Sequence, residues 1–189
     1  MSHKFLFNTS FHDLLKKLDL ELAETTRLAG CPHCGGPLHQ ADYPRSPFGL
    51  PVGFRTYYQE RHSFCCGQCR KRTTSPSVRF FGRRWFPAPL LVLISALSRG
   101  ATESRCTQIQ KLFGVVISQT TWKRWRCWWC TYFTQSDFWL QAKGVVSILH
   151  FSGPFPRELF SLFTGCLEER LVLLLRFLAP LTAGAFRAV

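Results

Sequence analysis

Leu14, Leu15, Leu18 and Leu22 recur at helical spacing between Ser10 and Gly30. The pattern predicts a first helix over 10–29, with Ser10 as its cap and Gly30 as its stop. From residue 31 to 82 the pattern changes. Pro and Gly are frequent, and short runs rich in Tyr, Thr and Phe replace the helical period. Arg55 to Phe64 and Ser77 to Phe81 read as strands, and Tyr43 to Phe54 as a loop. Helical spacing returns after Pro87, predicting helices at about 88–99, 104–113 and 119–133. Two short helices are expected in the tail, one containing Glu158 to Phe163 and one from Leu167. The fold class expected is α+β. An N-terminal helix (1–30) precedes a small β module (31–86), a helical domain (87–133) and a helical tail (134–189).

Composition narrows the class. Of 189 residues, 46% are hydrophobic and 19% charged, which is the balance of a globular chain. The apolar run from Phe86 to Leu97 is twelve residues long, short of the roughly twenty that span a bilayer. His12, Asp13, Lys16 and Lys17 stand where a signal peptide needs an apolar core, so a cytoplasmic location is expected.

The formal net charge is +13, and it is unevenly placed. Residues 43–100 hold ten basic groups against Glu60 alone, whereas residues 1–30 balance four against four. A basic middle between near-neutral ends is the footprint of a surface for a polyanion. The candidate nucleic-acid contacts are Arg70, Lys71, Arg72, Arg79, Arg83, Arg84, Lys123 and Arg124.

Nine cysteines in a reducing compartment point to metal, catalysis or burial rather than to disulfides. Cys31 and Cys34 lie in Cys-Pro-His-Cys-Gly-Gly, and Cys66 and Cys69 in Cys-Gly-Gln-Cys-Arg. Two such pairs predict a four-thiolate zinc site, each pair forming a tight turn with two sulfurs facing one ion. Cys65 competes with Cys66, but only Cys66 gives the two-residue spacing to Cys69. His33, His39 and His62 are read as non-ligands. An iron site would use the same ligands. A shell closed by four thiolates leaves no position for substrate, so the metal is expected to be structural.

From Cys31 to Phe81 the chain resembles the zinc-ribbon module at the front of many bacterial transposases. The likeness is carried by the Cys-Pro-His-Cys-Gly turn, the aromatic run into Cys66-Gly-Gln-Cys69, and Arg70-Lys71-Arg72 followed by Thr73-Thr74-Ser75. It implies a ribbon that helps bind transposon ends. The chain departs from that family in its long 43–54 loop and in having no room for a nuclease domain. The chain as a whole is similar to a group of bacterial proteins, a likeness that implies no particular activity.

Residues 104–133 resemble a helix-turn-helix. Ser118 caps a second helix in which Trp122, Trp125, Trp129 and Phe133 fall on one stripe, with Thr120, Lys123, Arg124 and Cys127 opposite. The competing reading is an amphipathic core helix with a solvated basic face. Cys127 and Cys130 lie inside this helix, not at the helix start that a redox motif requires. Phe80, Phe81, Trp85 and Phe86 are read as core. Magnesium-dependent nucleases need two or three convergent carboxylates. Between Asp42 and Asp137 the only acids are Glu60 and Glu103. The expectation is therefore a DNA-binding protein and not an enzyme. An adaptor whose ribbon binds a protein partner is the alternative, and RNA binding a third reading.

Overall fold

The computed structural model describes residues 4–47, 50, 52–81, 87–97, 102–113, 116–145 and 155–183. It is of mixed α and β structure, with long helices and two small antiparallel sheets, and divides into two compact units. The first unit comprises residues 1–89 and 175–189, and the second residues 90–174. The boundaries expected at 30/31, 86/87 and 133/134 do not coincide with this division. The N-terminal helix and the end of the tail both belong with the β module.

In the first unit, α1 (Thr9–Ala29) is capped by Asn8, whose side chain accepts from the Ser10 N–H at 3.0 Å. The cap is thus Asn8 and not Ser10, which lies inside the first turn. Gly30 ends the helix with φ 77°, a conformation that L side chains rarely adopt. Phe11, His12, Leu15, Leu18, Asp19 and Ala23 face inward, while Leu14 is exposed.

A three-stranded antiparallel sheet is ordered β1 (Leu38–Gln40), β4 (Ser63–Cys66), β5 (Arg72–Thr74). Leu38 pairs with Cys66 and Phe64 with Thr73. A second ladder pairs β2 (Tyr43–Pro44) with β3 (Glu60–Arg61). Leu38, Phe64, Cys31, Cys66 and Ala23 form one buried cluster, with Cys69 packed against it. The C-terminal half of α1 is therefore part of the module's core.

The expected strand from Arg55 to Phe64 is only half a strand. Val52–Tyr58 is a 3₁₀ helix, and extended structure begins at Glu60. The reason is aromatic spacing. Phe54, Tyr57 and Tyr58 all approach the His12 ring, with centroid separations of 4.5–5.7 Å. Only a helical turn presents positions i, i+3 and i+4 on one side. The expected loop at 43–54 likewise contains β2 and the first residues of that turn.

Ser77–Phe81 is not a strand, apart from an isolated bridge between Phe80 and Pro87. Its N–H groups are taken by side chains. Val78 N–H donates to Asp19 Oδ1 at 2.6 Å, and Arg79 and Phe80 N–H both donate to Ser77 Oγ. The unit is closed by Thr182 near the C-terminus. Its hydroxyl accepts from Ser77 N–H at 2.7 Å, and Arg61 donates to its carbonyl at 3.0 Å.

The second unit is helical. It contains most of α2 (Ala88–Leu97), α3 (Glu103–Phe113), α4 (Gln119–Cys127), α5 (Asp137–Val145) and the first part of α6 (Leu167–Leu178). Ser118 caps α4, its Oγ accepting from Thr121 N–H at 3.2 Å. A π-helical turn over Trp128–Phe133 continues α4, so helical structure does reach Phe133. Trp129, Phe133, Trp139 and Phe155 pack with centroids 5.1–5.7 Å apart.

Candidate metal centre

Two turns of the same design bring the cysteines together. In the first, Gly35 N–H donates to the Cys31 carbonyl at 2.8 Å, and Cys31 N–H to the Gly36 carbonyl at 2.9 Å. In the second, Arg70 N–H donates to the Cys66 carbonyl at 3.2 Å, and Cys66 N–H to the Lys71 carbonyl at 3.0 Å. Each turn reverses through a left-handed residue just after its second cysteine, Gly35 at φ 72° and Arg70 at φ 60°. The two turns abut. A Cβ at Gly36 would lie 2.6 Å from the Gln68 side chain, and one at Gly67 would lie 2.8 Å from His39.

The four Sγ atoms of Cys31, Cys34, Cys66 and Cys69 all lie within 4.8 Å of one another. Cys31 Sγ is 3.5 Å from Cys69 Sγ, and Cys34 Sγ is 3.5 Å from Cys66 Sγ. A tetrahedron of thiolates at about 2.3 Å from an ion separates its sulfurs by roughly 3.8 Å. The donor set and spacing therefore fit a metal ion, and all four cysteines are free of disulfides.

Cys66, not Cys65, supplies the third sulfur. Strand alternation decides this: Cys66 shares its face with Phe64 and lies in the buried cluster. Cys65 turns to the other face, with its Sγ 3.6 Å from the Arg70 carbonyl. His33 and His39 are exposed and are not members of the sulfur cluster, and His62 is engaged by Asp42 at 3.1 Å.

The environment favours one thiolate and then resists the next. The Cys69 N–H, 3.5 Å from Cys66 Sγ, holds the Cys66 thiol down at about 6. At Cys69 the Lys71 backbone favours the thiolate, but burial and the neighbouring sulfurs outweigh it and push the thiol up to about 12. Four sulfurs this close need a cation if all are to ionise, and a bound metal would supply that charge.

The basic residues separate into three groups. Arg70, Lys71 and Arg72 follow the second turn and are exposed, as are Lys123 and Arg124 on α4. Arg83 and Arg84 lie outside the described residues, together with Trp85, Phe86, Gly114 and Val115. Arg79 is corrected. It is 3% exposed and donates to Asp19 Oδ2 at 2.7 Å, to the Tyr57 carbonyl and to the Glu60 carbonyl. It is a buried structural ion pair and presents no guanidinium to a phosphate.

On α4, Trp122 and the following Trp129 and Phe133 are buried, Trp125 is half-buried, and Thr120, Lys123, Arg124 and Cys127 are exposed. Phe80 and Phe81 are core. One feature escaped the sequence reading. The Arg45 guanidinium stacks 4.8 Å from the Tyr43 ring centroid, and that of Arg72 stacks 5.7 Å from it. No helix of the described residues is long and apolar enough to cross a membrane.

Comparison with protein-family models, with curated proteins and with solved structures finds no match to this chain.

Proposed function

We propose that this is a zinc-ribbon protein that binds DNA and is related to transposases. The observation that carries the reading is the pairing of two like turns around four sulfurs within 4.8 Å, with exposed Arg70-Lys71-Arg72 leaving the second turn. Zinc fits best because its tetrahedral four-sulfur preference matches a compact, closed donor set. The ion would supply folding energy to a sheet of three short strands. The basic residues would then meet backbone phosphates. The helix pair α3 and α4 would add a second contact, with Lys123 and Arg124 on the face opposite the buried tryptophans.

Metal analysis of the purified chain and electrophoretic shift with DNA and RNA duplexes at two salt concentrations test the reading. One zinc per chain and DNA binding that weakens steeply with salt support it. Binding to RNA in preference to DNA changes the partner. Absence of both replaces the reading with the adaptor.

The adaptor is favoured by one observation. Leu14, Leu20 and Leu28 on α1 are exposed, Leu28 at 72%. Capture of a defined protein partner that is lost on changing these leucines to Ser, without any nucleic-acid binding, selects it.

A further inference from the structure

We propose that Arg45, Tyr43 and Arg72 form a phosphate clamp that grips the DNA backbone beside the metal centre. The proposal rests on the DNA-binding reading and adds to it a site built across separate strands. Arg45 follows β2, and Arg72 opens β5, 27 positions later in the chain. Both guanidiniums nonetheless converge on one aromatic ring, at 4.8 and 5.7 Å.

Three observations support a clamp rather than two surface charges that happen to be close. First, both side chains are held. Arg45 donates to Tyr43 Oη at 3.3 Å, and its backbone N–H donates to the Gln59 carbonyl at 2.6 Å. Arg72 Nη1 donates to the Ala41 carbonyl at 3.0 Å and to Ser63 Oγ at 3.1 Å. Side chains ordered before binding lose less entropy when they bind. Secondly, the Arg72 bonds use Nη1, and the other guanidinium nitrogens make no hydrogen bond to the described residues. A guanidinium stacked on a ring through its face keeps its edge donors for a planar, bidentate anion. Thirdly, the nearest acid in sequence is already spent. Asp42 accepts from Gln40 Nε2 at 2.8 Å, from Ser63 N–H at 2.9 Å and from His62 Nδ1 at 3.1 Å. Its charge is turned toward those donors. Arg72 thus presents its remaining donors beside Tyr43 and Arg45, next to Arg70 and Lys71 in the chain.

The ligand is a phosphodiester oxygen pair of duplex DNA. Carboxylate recognition would use the same fork. Arg70 and Lys71, exposed and next to Arg72 in the chain, make a run of cationic side chains that favours a polyanion over a single carboxylate.

The test is fluorescence anisotropy with a labelled 20-base-pair duplex across a salt series. It uses the full chain with its metal, and metal content and thermal midpoint are measured on every variant. Arg45→Ala and Arg72→Ala are each expected to weaken binding about five- to tenfold and to flatten the log–log salt slope by about one. Arg72→Lys should keep the slope but lose affinity, because charge remains and the fork does not. Tyr43→Leu should weaken binding with both arginines present, since their support is gone. If folded, metal-loaded Arg45→Ala and Arg72→Ala bind as the native chain does, the clamp is wrong while DNA binding stands. If the native chain binds no duplex and the Lys123→Ala/Arg124→Ala control likewise changes nothing, the DNA-binding reading itself fails and the clamp with it.

Discussion

Arg79 Nε donates to Asp19 Oδ2 at 2.7 Å, and both side chains are almost wholly buried, at 3% and 1% exposure. The pair ties α1 to the segment 77–79 across sixty positions of sequence. Asp19 also accepts from Ser77 Oγ and Val78 N–H, each at 2.6 Å. Removing one partner leaves the other charge buried without compensation, at a cost of about 3–5 kcal/mol. Urea unfolding should therefore show Asp19→Ala and Arg79→Ala each losing stability on that scale. The double variant should lose less than the two single losses summed. Arg79→Ala measured where the protein is still folded should keep the salt dependence of the proposed DNA binding. A reduced slope there would return Arg79 to the phosphate-contacting set.

The four-sulfur cluster was legible because a Cys-x2-Cys turn is local, and its geometry survives whatever surrounds it. The choice between Cys65 and Cys66 was legible for the same reason, since strand alternation agrees with the spacing. Arg79 was not legible. Its sequence neighbourhood, between Ser77 and Phe80, resembles a basic strand. Only the approach of Asp19 turns the segment inward and takes its N–H groups away from any ladder. The 52–58 turn was missed because Tyr and Phe favour strands on average. Here their i, i+3, i+4 spacing meets His12 on α1, and that tertiary contact decides the local form. The Tyr43 clamp joins residues from two separate strands, so no window of sequence contains it.

The four cysteines of the cluster should behave as a set. Cys31→Ser, Cys34→Ser, Cys66→Ser and Cys69→Ser are each expected to lower metal content below one per chain. Each should also open the 31–74 region to protease, because an ion bound there would contribute to folding. Cys65→Ser and Cys127→Ser should retain the metal, since neither belongs to the cluster. Metal titration of the six variants separates these groups. Equal loss in Cys65→Ser would contradict the strand alternation that places its sulfur near Arg70.

The two turns carry different residues at one backbone position. Gly35 has φ 72°, and a Cβ there would meet no atom within 4 Å. Gly35→Ala therefore isolates the conformational cost and should destabilise by about 1 kcal/mol. Arg70 already bears that strain at φ 60°. Arg70→Gly is expected to leave stability unchanged or to raise it by roughly 0.5–1 kcal/mol, while the proposed DNA affinity falls. Thermal melting and anisotropy on the same samples check both signs. A variant that lost stability as well as affinity would show that the Arg70 side chain supports the turn itself.

His12 sets the behaviour of the first unit in mild acid. Its Nε2 lies 2.9 Å from the Leu6 carbonyl, which can only accept, so Nε2 carries the proton and Nδ1 accepts from the Tyr58 hydroxyl at 3.1 Å. Burial lowers its pKa below the ordinary 6.5, against the opposing pull of the Leu6 carbonyl and Asp13. The same burial holds the Tyr58 phenol protonated well above its usual range. A depressed histidine takes up its proton in the unfolded chain first. Stability is thus fully present above about 6.5 and falls as pH drops from there toward the folded-state value, by up to about 1.4 kcal/mol per pH unit. Asp42 is also depressed: the bonds from Gln40, the Ser63 N–H and His62 outweigh the desolvation that opposes them. Its loss begins near the ordinary carboxylate value of 3.8, below the pH range in which His12 starts to lose stability. Urea unfolding of the native chain and His12→Gln should be compared at half-unit steps from pH 7 to 5. The variant is expected to start less stable, because the packing of Phe54, Tyr57 and Tyr58 is disturbed, but to decline less steeply below pH 6.5. Metal release in acid would affect both proteins alike, so the difference in slope reports His12. Parallel curves would mean that His12 is protonated as readily in the fold as outside it, contrary to its burial between Leu6 and Tyr58.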